Sequence, residues 1–164
     1  LNPKGKWIML LDNNLFACPQ WKENIEILKS YNQPISFTQG LDLRIMTDDM
    51  AKALSTVKIK QVYVAWDNYE DRDIVLHGLN ILLKYIKPYK VTCYCLVGFK
   101  QPYVVDEDLE RVLTLKKLGV NPFAMGYIDF NNPNYKKSKE IKDFCRWGNM
   151  KATFKSIAWE DYGK

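Results

Sequence analysis

The sequence predicts an α/β fold in which about five parallel strands alternate with helices. Short apolar runs alternate along the chain with segments whose apolar residues recur at helical spacing, and this alternation indicates right-handed crossovers between parallel strands. The 164 residues, 47% of them hydrophobic, are enough for one domain with a buried core. Two architectures fit this pattern, an open doubly wound sheet or part of a β/α barrel, since a complete barrel needs about 200–250 residues.

The first strand is predicted in the run 6–11, which is apolar at successive positions and therefore suits a strand buried on both faces. Pro19 is placed as a first-turn proline of the following helix, and 32–34 (Asn-Gln-Pro) ends that helix. The apolar stripe of this helix is Trp21, Ile25 and Leu28.

The second and third units repeat the cycle, with strands predicted at 35–39 and 61–65. Thr47 is the expected N-cap of the second helix, with acidic residues in the first turn. The third helix is expected to open at Asp71 and to stop at Pro88. The two apolar stripes are Met50, Ala53, Leu54 and Val57, then Val75, Leu79, Leu82 and Ile86.

The last two strands are predicted at 91–97 and 122–127. The helix between them opens with acidic residues at 106–108 and ends at Gly119. Its apolar residues are Leu109, Val112, Leu113, Leu115 and Leu118. Residues 135–164 break the alternation, so we assign 1–134 to the strand-and-helix domain and 135–164 to a helical or irregular tail packed on it.

The tail carries most of the net charge of +5, since it holds eight Lys or Arg against four acids. Basic residues with interleaved aromatics can bind single-stranded nucleic acid. We favour the alternative, an amphipathic helix and arm that pack over the domain with a solvated lysine face. The aromatic residues concerned are Phe144, Trp147, Phe154 and Trp159.

The cysteines and the hydropathy indicate a cytoplasmic protein without a membrane partner. The four cysteines match no zinc pattern and no disulfide scaffold, which is typical of reduced thiols. No stretch reaches the roughly 20 apolar residues that a membrane span needs. We predict no metal ligand: Cys93 and Cys95 are interpreted as core residues rather than a metal pair, and Cys18 as a helix cap or packing residue. The single histidine, His77, lies on the polar side of its helix and is not predicted to be catalytic.

Polar side chains gather where the predicted strands end, which is where both architectures place ligands. Arg44 could clamp a carboxylate or a phosphate, or it could form a rim salt bridge to Asp42 or Asp48. Asp12 and Asp67 could hold an amino group or a ribose diol. One strand-end arginine without a glycine-rich anion loop favours a small zwitterionic or nucleoside ligand over a polyphosphate.

Five stretches at or near these strand ends form an ordered set of motifs. They are Leu-Leu-Asp-Asn-Asn at 10–14, Gln-Gly-Leu-Asp-Leu-Arg at 39–44, Ala-Trp-Asp at 65–67, Tyr-Cys-Leu-Val-Gly-Phe at 94–99 and Asp-Leu-Glu-Arg-Val at 108–112. Over about residues 6–130 the chain resembles the radical S-adenosylmethionine (SAM) family. The resemblance implies a partial β/α barrel, in the manner of an incomplete TIM barrel, in which a [4Fe-4S] cluster and SAM meet at the carboxyl ends of the strands. Reductive cleavage of SAM then yields a 5′-deoxyadenosyl radical that attacks the substrate, here unknown.

The resemblance also implies roles for strand-end residues, all of them cofactor-binding. Asp12, Asn13 and Asn14 would replace the Gly-Gly-Glu motif that holds the SAM amino group. The next strand end, which would hold the SAM carboxylate or the substrate, comprises Gln39, Asp42 and Arg44. Asp67 would lie near the ribose. The adenine would pack on Leu96, Val97 and Gly98, with Met125 at the last strand end.

The family's C-x-x-x-C-x-x-C cluster loop is not in this sequence, and Cys93 with Cys95 cannot replace it. We therefore expect a fragment of a radical SAM oxidoreductase, truncated before the second barrel strand, that binds no cluster and is inactive alone. Such a fragment would expose the edge of its first strand and could dimerise there. The alternative is a non-catalytic α/β module that binds a nucleoside or an amino-acid-like ligand at the same rim.

Overall fold

The computed structural model describes residues 5–11 and 14–163 and contains one sheet of five parallel strands. Each strand pairs with the next strand of the chain, so the spatial order is the same as the sequence order. The strands are β1 (Ile8–Leu10), β2 (Ile35–Leu41), β3 (Ile59–Ala65), β4 (Val91–Val97) and β5 (Asn121–Gly126).

Four helices connect successive strands, and two more follow the last strand. The connecting helices are α1 (Trp21–Ser30), α2 (Asp48–Ser55), α3 (Arg72–Leu83) and α4 (Asp106–Lys117). The helices that follow β5 are α5 (Lys139–Asn149) and α6 (Lys151–Ser156). Thr47 caps α2 as predicted, since its side chain accepts a hydrogen bond from the Met50 amide. Gly119, with φ of 72°, follows α4 as predicted.

The strand order decides between the two predicted architectures. A doubly wound sheet reverses its order at a switch point, whereas this sheet continues in one direction from β1 to β5. Right-handed crossovers that all advance in one direction place the connecting helices on one face of the sheet. The fold is therefore α/β, a partial β/α barrel with a helical tail, which confirms the predicted class.

The two faces of the sheet differ in burial. Side chains under the helices form the core, as Val62, Val64, Cys93 and Cys95 show by being fully buried. The alternate residues lie on what we call the open face, which is polar and aromatic except at Met9: Met9, Gln61, Tyr63, Thr92, Tyr94 and Phe123. On it the rings of Tyr63 and Tyr94 stack with centroids 5.2 Å apart, and Phe123 meets Tyr94 edge to face at 5.6 Å.

The first strand is parallel as predicted, but the expectation that both of its faces are buried is wrong. Ile8 is buried under the helices, whereas Met9 is 55% exposed on the open face. The outer edge of β1 pairs with nothing in the described ranges, so dimerisation through this edge stays a prediction. Along those same ranges, no helix is long and apolar enough to cross a membrane.

A bulge in β2 shapes the carboxyl end of the sheet. Phe37 pairs with Val62 and Leu41 pairs with Val64, so three residues of β2 face one residue of β3 between these pairs. Gly40 adopts φ of 95° within the bulge, a conformation that favours glycine. The Thr38 carbonyl accepts a hydrogen bond of 2.9 Å from the Tyr94 hydroxyl. The bulge thus turns Gln39 and the residues after it away from the regular ladder.

The tail covers the other edge of the sheet. The Asn149 side-chain amide forms the two hydrogen bonds that the backbone of a neighbouring strand would form with Ala124 on β5. Its Oδ1 accepts from the Ala124 N–H at 2.7 Å, and its Nδ2 donates to the Ala124 carbonyl at 3.0 Å. Ile141, Phe144 and Trp147 on α5 are buried. The tail therefore packs on the domain, as the favoured interpretation of its aromatic residues expects.

Candidate functional site

A cleft of about 390 Å³ lies at the carboxyl ends of β2 and β3. It brings together five of the residues singled out from the sequence: Asn14, Gln39, Asp42, Arg44 and Asp67. Residues that the sequence analysis did not assign to the site complete the wall, among them Trp66, Asn68, Asp71 and Val75. The volume falls within the range of about 300–1,000 Å³ that is usual for small-molecule sites.

Arg44 and Asp42 form a two-point ion pair at the rim of the cleft. Arg44 Nε and Nη2 lie 3.0 and 2.9 Å from the two carboxylate oxygens of Asp42, whose Oδ1 also accepts from the Arg44 amide. Asp71 lies 3.7 Å from Arg44 Nη1. The hydrogen bonds from Arg44 hold the pKa of Asp42 below its usual value. Of the two predicted partners of Arg44, Asp42 is therefore the one found, while Asp48 bonds to Lys84 and Tyr85.

This ion pair predicts a specific pH dependence of stability. Because the pKa of Asp42 is lower in the folded chain than its ordinary 3.8, the pair stabilises fully above pH 3.8 and is lost as the pH falls through the folded pKa. Arg44 is 53% exposed, so solvent limits the effect to about 1 kcal/mol or less. Urea unfolding of the wild type and of Asp42→Asn should give a stability difference that shrinks below pH 3.8. A difference that stays constant down to about pH 2.5 would contradict this assignment.

Asp67 adds a second carboxylate at the end of β3. Its Oδ1 accepts a hydrogen bond of 3.1 Å from the Leu96 amide on β4, which fixes the side chain at the mouth of the cleft. With Asp42 and Asp71 it gives the described part of the lining three carboxylates and the guanidinium of Arg44. The cleft therefore favours a ligand with net positive charge that also carries one acidic group.

Trp66 lines the cleft and carries a buried indole donor. The residue is 1% exposed, and its Nε1 has no hydrogen-bond partner within 5–11 and 14–163. Buried indole N–H groups normally have a partner, because an unpaired donor costs about 1–3 kcal/mol. Since Trp66 lines the cleft, this N–H is a candidate donor to a bound ligand.

Arg111 on α4 holds the strand ends in place and was given no role by the sequence analysis. Its Nη1 donates to the carbonyls of Trp66 (2.6 Å) and Asp67 (2.8 Å), and its Nη2 donates to the carbonyl of Leu96 (2.6 Å) and to Asp108 Oδ1 (2.6 Å). Both charged side chains are almost completely buried. Arg111 is thus a positioning residue that ties the carboxyl ends of β3 and β4 together. The sequence signal that could have identified Arg111 is its position three residues after Asp108, an oppositely charged residue on the same helix face as Leu115.

The other predicted cofactor residues that the structure describes lie outside the cleft. Leu96 and Met125 are paired neighbours on β4 and β5, and both are partly exposed. Val97 is fully buried in the core, and a Cβ on Gly98 would meet Ile141 Cδ1 at 2.6 Å. Asp12 and Asn13 lie outside the described residues.

The cysteines do not fit the three-ligand set that a [4Fe-4S] cluster needs. Cys93 and Cys95 are fully buried under the helices, and the neighbouring Cys95 thiol together with burial raises the pKa of Cys93. Cys145 is half-buried on α5, and the Cys18 thiol bonds to Gln20 and Asn24 next to α1. No group of three metal-ligating side chains occurs in the part of the chain that the structure describes. The helix-surface position predicted for His77 agrees with its exposure on α3.

Comparison of this chain with protein-family models, with curated proteins and with solved structures finds no match.

Proposed function

We propose that this chain is part of the barrel of a radical SAM enzyme and that its strand-end cleft binds SAM. The observation that carries the proposal is the charge of the cleft, with the carboxylates of Asp42, Asp67 and Asp71 around the guanidinium of Arg44. SAM has the complementary pattern, since its sulfonium and ammonium are positive and its single carboxylate is negative. Nη1 of Arg44, which Asp42 does not bond, is the expected partner of that carboxylate. Asp67 and Asp71 are the expected partners of the cations.

The sheet topology supports the same proposal. The ordered strand-end motifs resemble radical SAM proteins, whose barrels continue in one direction as this sheet does. A doubly wound nucleotide-binding fold would instead place its ligand at an order reversal, and this sheet has none among its described strands. The adenosine part of SAM would extend from Asp67 towards Leu96 and Met125, the partly exposed residues at the next strand ends.

The described cysteines do not fit the cluster, so we assign this chain the binding of SAM and no catalytic step of its own. A cluster held by other cysteines of the proposed enzyme would supply the electron that cleaves SAM. The contribution of this chain is to orient the ligand: Asp42 fixes the guanidinium of Arg44, and Arg111 fixes the backbone on both sides of Asp67.

Isothermal titration of the chain with SAM tests the proposal directly. We expect saturable binding that Asp67→Asn weakens about tenfold, because the substitution removes a charge next to the ligand's cations. Asparagine retains an oxygen for the Leu96 amide, so the fold is preserved. Asp73→Asn is the matched control, since Asp73 is a fully solvated acid on α3 outside the cleft.

Equal affinities for Asp67→Asn and Asp73→Asn would reject the cleft as the SAM site, and absence of SAM binding would reject the proposal as a whole. Parallel titrations with adenosine and with methionine separate the alternative function. Binding of either compound without binding of SAM would identify a non-catalytic module for a nucleoside or an amino acid.

A further inference from the structure

Two further cavities adjoin each other towards the amino ends of the strands, away from the SAM cleft. The first, of about 360 Å³, lies between the open face of β3–β5 and helix α6. The second, of about 380 Å³, lies beside the start of β3 and the short turn that precedes β4. Tyr89 lines both cavities, so the two form one continuous surface.

This surface is basic. Among the residues that the structure describes, no aspartate or glutamate lines either cavity, whereas six lysines do: Lys58, Lys87, Lys90, Lys116, Lys151 and Lys155. Across the described chain, none of these lysines forms an ion pair. Unpaired ammonium groups around a cavity attract an anionic ligand. The sign of the charge is thus opposite to that of the SAM cleft.

The ammonium groups retain donors for such a ligand. Lys90 donates to the Ile59 carbonyl at 2.7 Å, and Lys116 donates to the Phe154 carbonyl. Each ammonium has three N–H donors, so these contacts leave further donors available. Lys151 and Lys155 lie one turn apart on α6, are exposed, and use none of their donors on described residues.

Aromatic rings lie beside the lysines. Tyr89 is 60% exposed and Phe123 is 42% exposed, so both residues are accessible to a ligand. Between them, the Asn121 amide donates to the carbonyls of Tyr89 (3.0 Å) and Val91 (3.2 Å), and its oxygen is left as an acceptor. A ligand that fits has negative charge, planar rings and polar ring edges.

We propose that these two cavities form a binding surface for single-stranded nucleic acid of at least two nucleotides. The phosphates lie on the lysines, and the bases stack on Tyr89 and Phe123. An unpaired strand is required because the bases of a duplex do not expose their faces to side chains. The inference does not depend on SAM binding, since the two surfaces share no residue.

Fluorescence anisotropy with a labelled single-stranded RNA of about ten nucleotides tests the proposal. We expect binding at low salt whose affinity falls linearly with the logarithm of the salt concentration. The double variant Lys151→Gln/Lys155→Gln should bind about tenfold more weakly and lower the slope of this dependence by about 1 to 2. Its matched control is Lys52→Gln/Lys139→Gln, which removes the same charge from exposed positions outside both cavities and should leave the slope almost unchanged.

A second variant separates stacking from charge. Tyr89→Ala should weaken RNA binding about tenfold at constant salt without altering the salt slope, because stacking involves no counterion. Tyr31→Ala is the control, since Tyr31 is a partly exposed ring that lines neither cavity. Melting curves of all variants verify that they are folded.

Several results would overturn the inference. One is that the chain does not bind the single-stranded RNA at low salt. Another is that duplex RNA or a mononucleotide binds as tightly as the single-stranded RNA does. The last is that heparin displaces the RNA equally well from the wild type and from Tyr89→Ala. A single-stranded DNA of the same length that binds as well supports it, because stacking and phosphate contacts do not require the 2′-hydroxyl. SAM titration of the same variants should give unchanged affinity, so failure of this inference and failure of the SAM proposal remain distinguishable.

Discussion

Replacement of Arg111 by methionine is expected to lower the free energy of unfolding by about 3–5 kcal/mol. The substitution leaves the buried carboxylate of Asp108 without its cation and removes the donor from the carbonyls of Trp66, Asp67 and Leu96. Each of these losses leaves a polar group inside the protein without its hydrogen-bond partner, which costs free energy. The loss is large relative to the roughly 5–15 kcal/mol by which domains of this size are stable.

Urea unfolding followed by far-UV circular dichroism measures this effect. Arg72→Met is the matched control, since Arg72 makes its ion pairs in solvent and its loss should hardly change stability. Arg111→Lys keeps the charge, but a single ammonium cannot donate to all four acceptors. We therefore expect an intermediate loss of the free energy of unfolding and a variant that remains folded. Equal midpoints for Arg111→Met and Arg72→Met would refute the positioning role of Arg111.

Replacement of Gly78 by alanine is expected to destabilise the fold by at least about 1–3 kcal/mol and to weaken ligand binding in the cleft. A Cβ at this position of α3 would lie 1.9 Å from the Leu43 carbonyl oxygen, so the backbone of one element must move. Leu43 begins the short 3₁₀ turn Leu43–Ile45, which carries Arg44. The shift that relieves the clash therefore displaces the guanidinium at the rim of the cleft.

Gly148→Ala is the matched control, because a Cβ there would meet Ala124 Cβ at an ordinary 3.7 Å. Alanine is favoured over glycine within a helix by about 1 kcal/mol, so this variant should be neutral or slightly more stable. Melting temperature and SAM titration, measured on both variants, test the prediction. A Gly78→Ala variant as stable as the wild type would mean that α3 does not contact the turn as closely as the structure indicates.

Local chemistry made most of the elements predictable. The bounds of β4 agree with the prediction, because the run Val91–Val97 is apolar and is preceded by a proline turn. Thr47 and Gly119 mark helix ends through hydrogen bonding and a left-handed backbone, which depend on neighbouring residues only. The end of the third helix was less accurate: α3 stops at Leu83, before Pro88, and the intervening residues form turns.

The candidate site was predictable as a set of strand-end residues but not as a geometry. Parallel strands bring their carboxyl ends to one edge, so Gln39, Asp42 and Asp67 could be grouped from the sequence. Whether each side chain points into a cleft, into solvent or into the core depends on the bulge in β2 and on packing. Leu96 and Val97 differ for a simpler reason: adjacent residues of a strand point to opposite faces, so Val97 lies in the core while Leu96 is partly exposed.

By itself, the sequence determined the order of strands and helices, their parallel direction and the polar character of the strand ends. These properties follow from hydrophobic period, capping and turn chemistry, which act over a few residues. Only the tertiary structure decided the one-directional strand order, the exposed face of β1 and the clamp of Arg111. Each of these depends on contacts between segments far apart in the chain, such as Arg111 and Trp66, whose positions differ by 45, and no local pattern predicts such contacts.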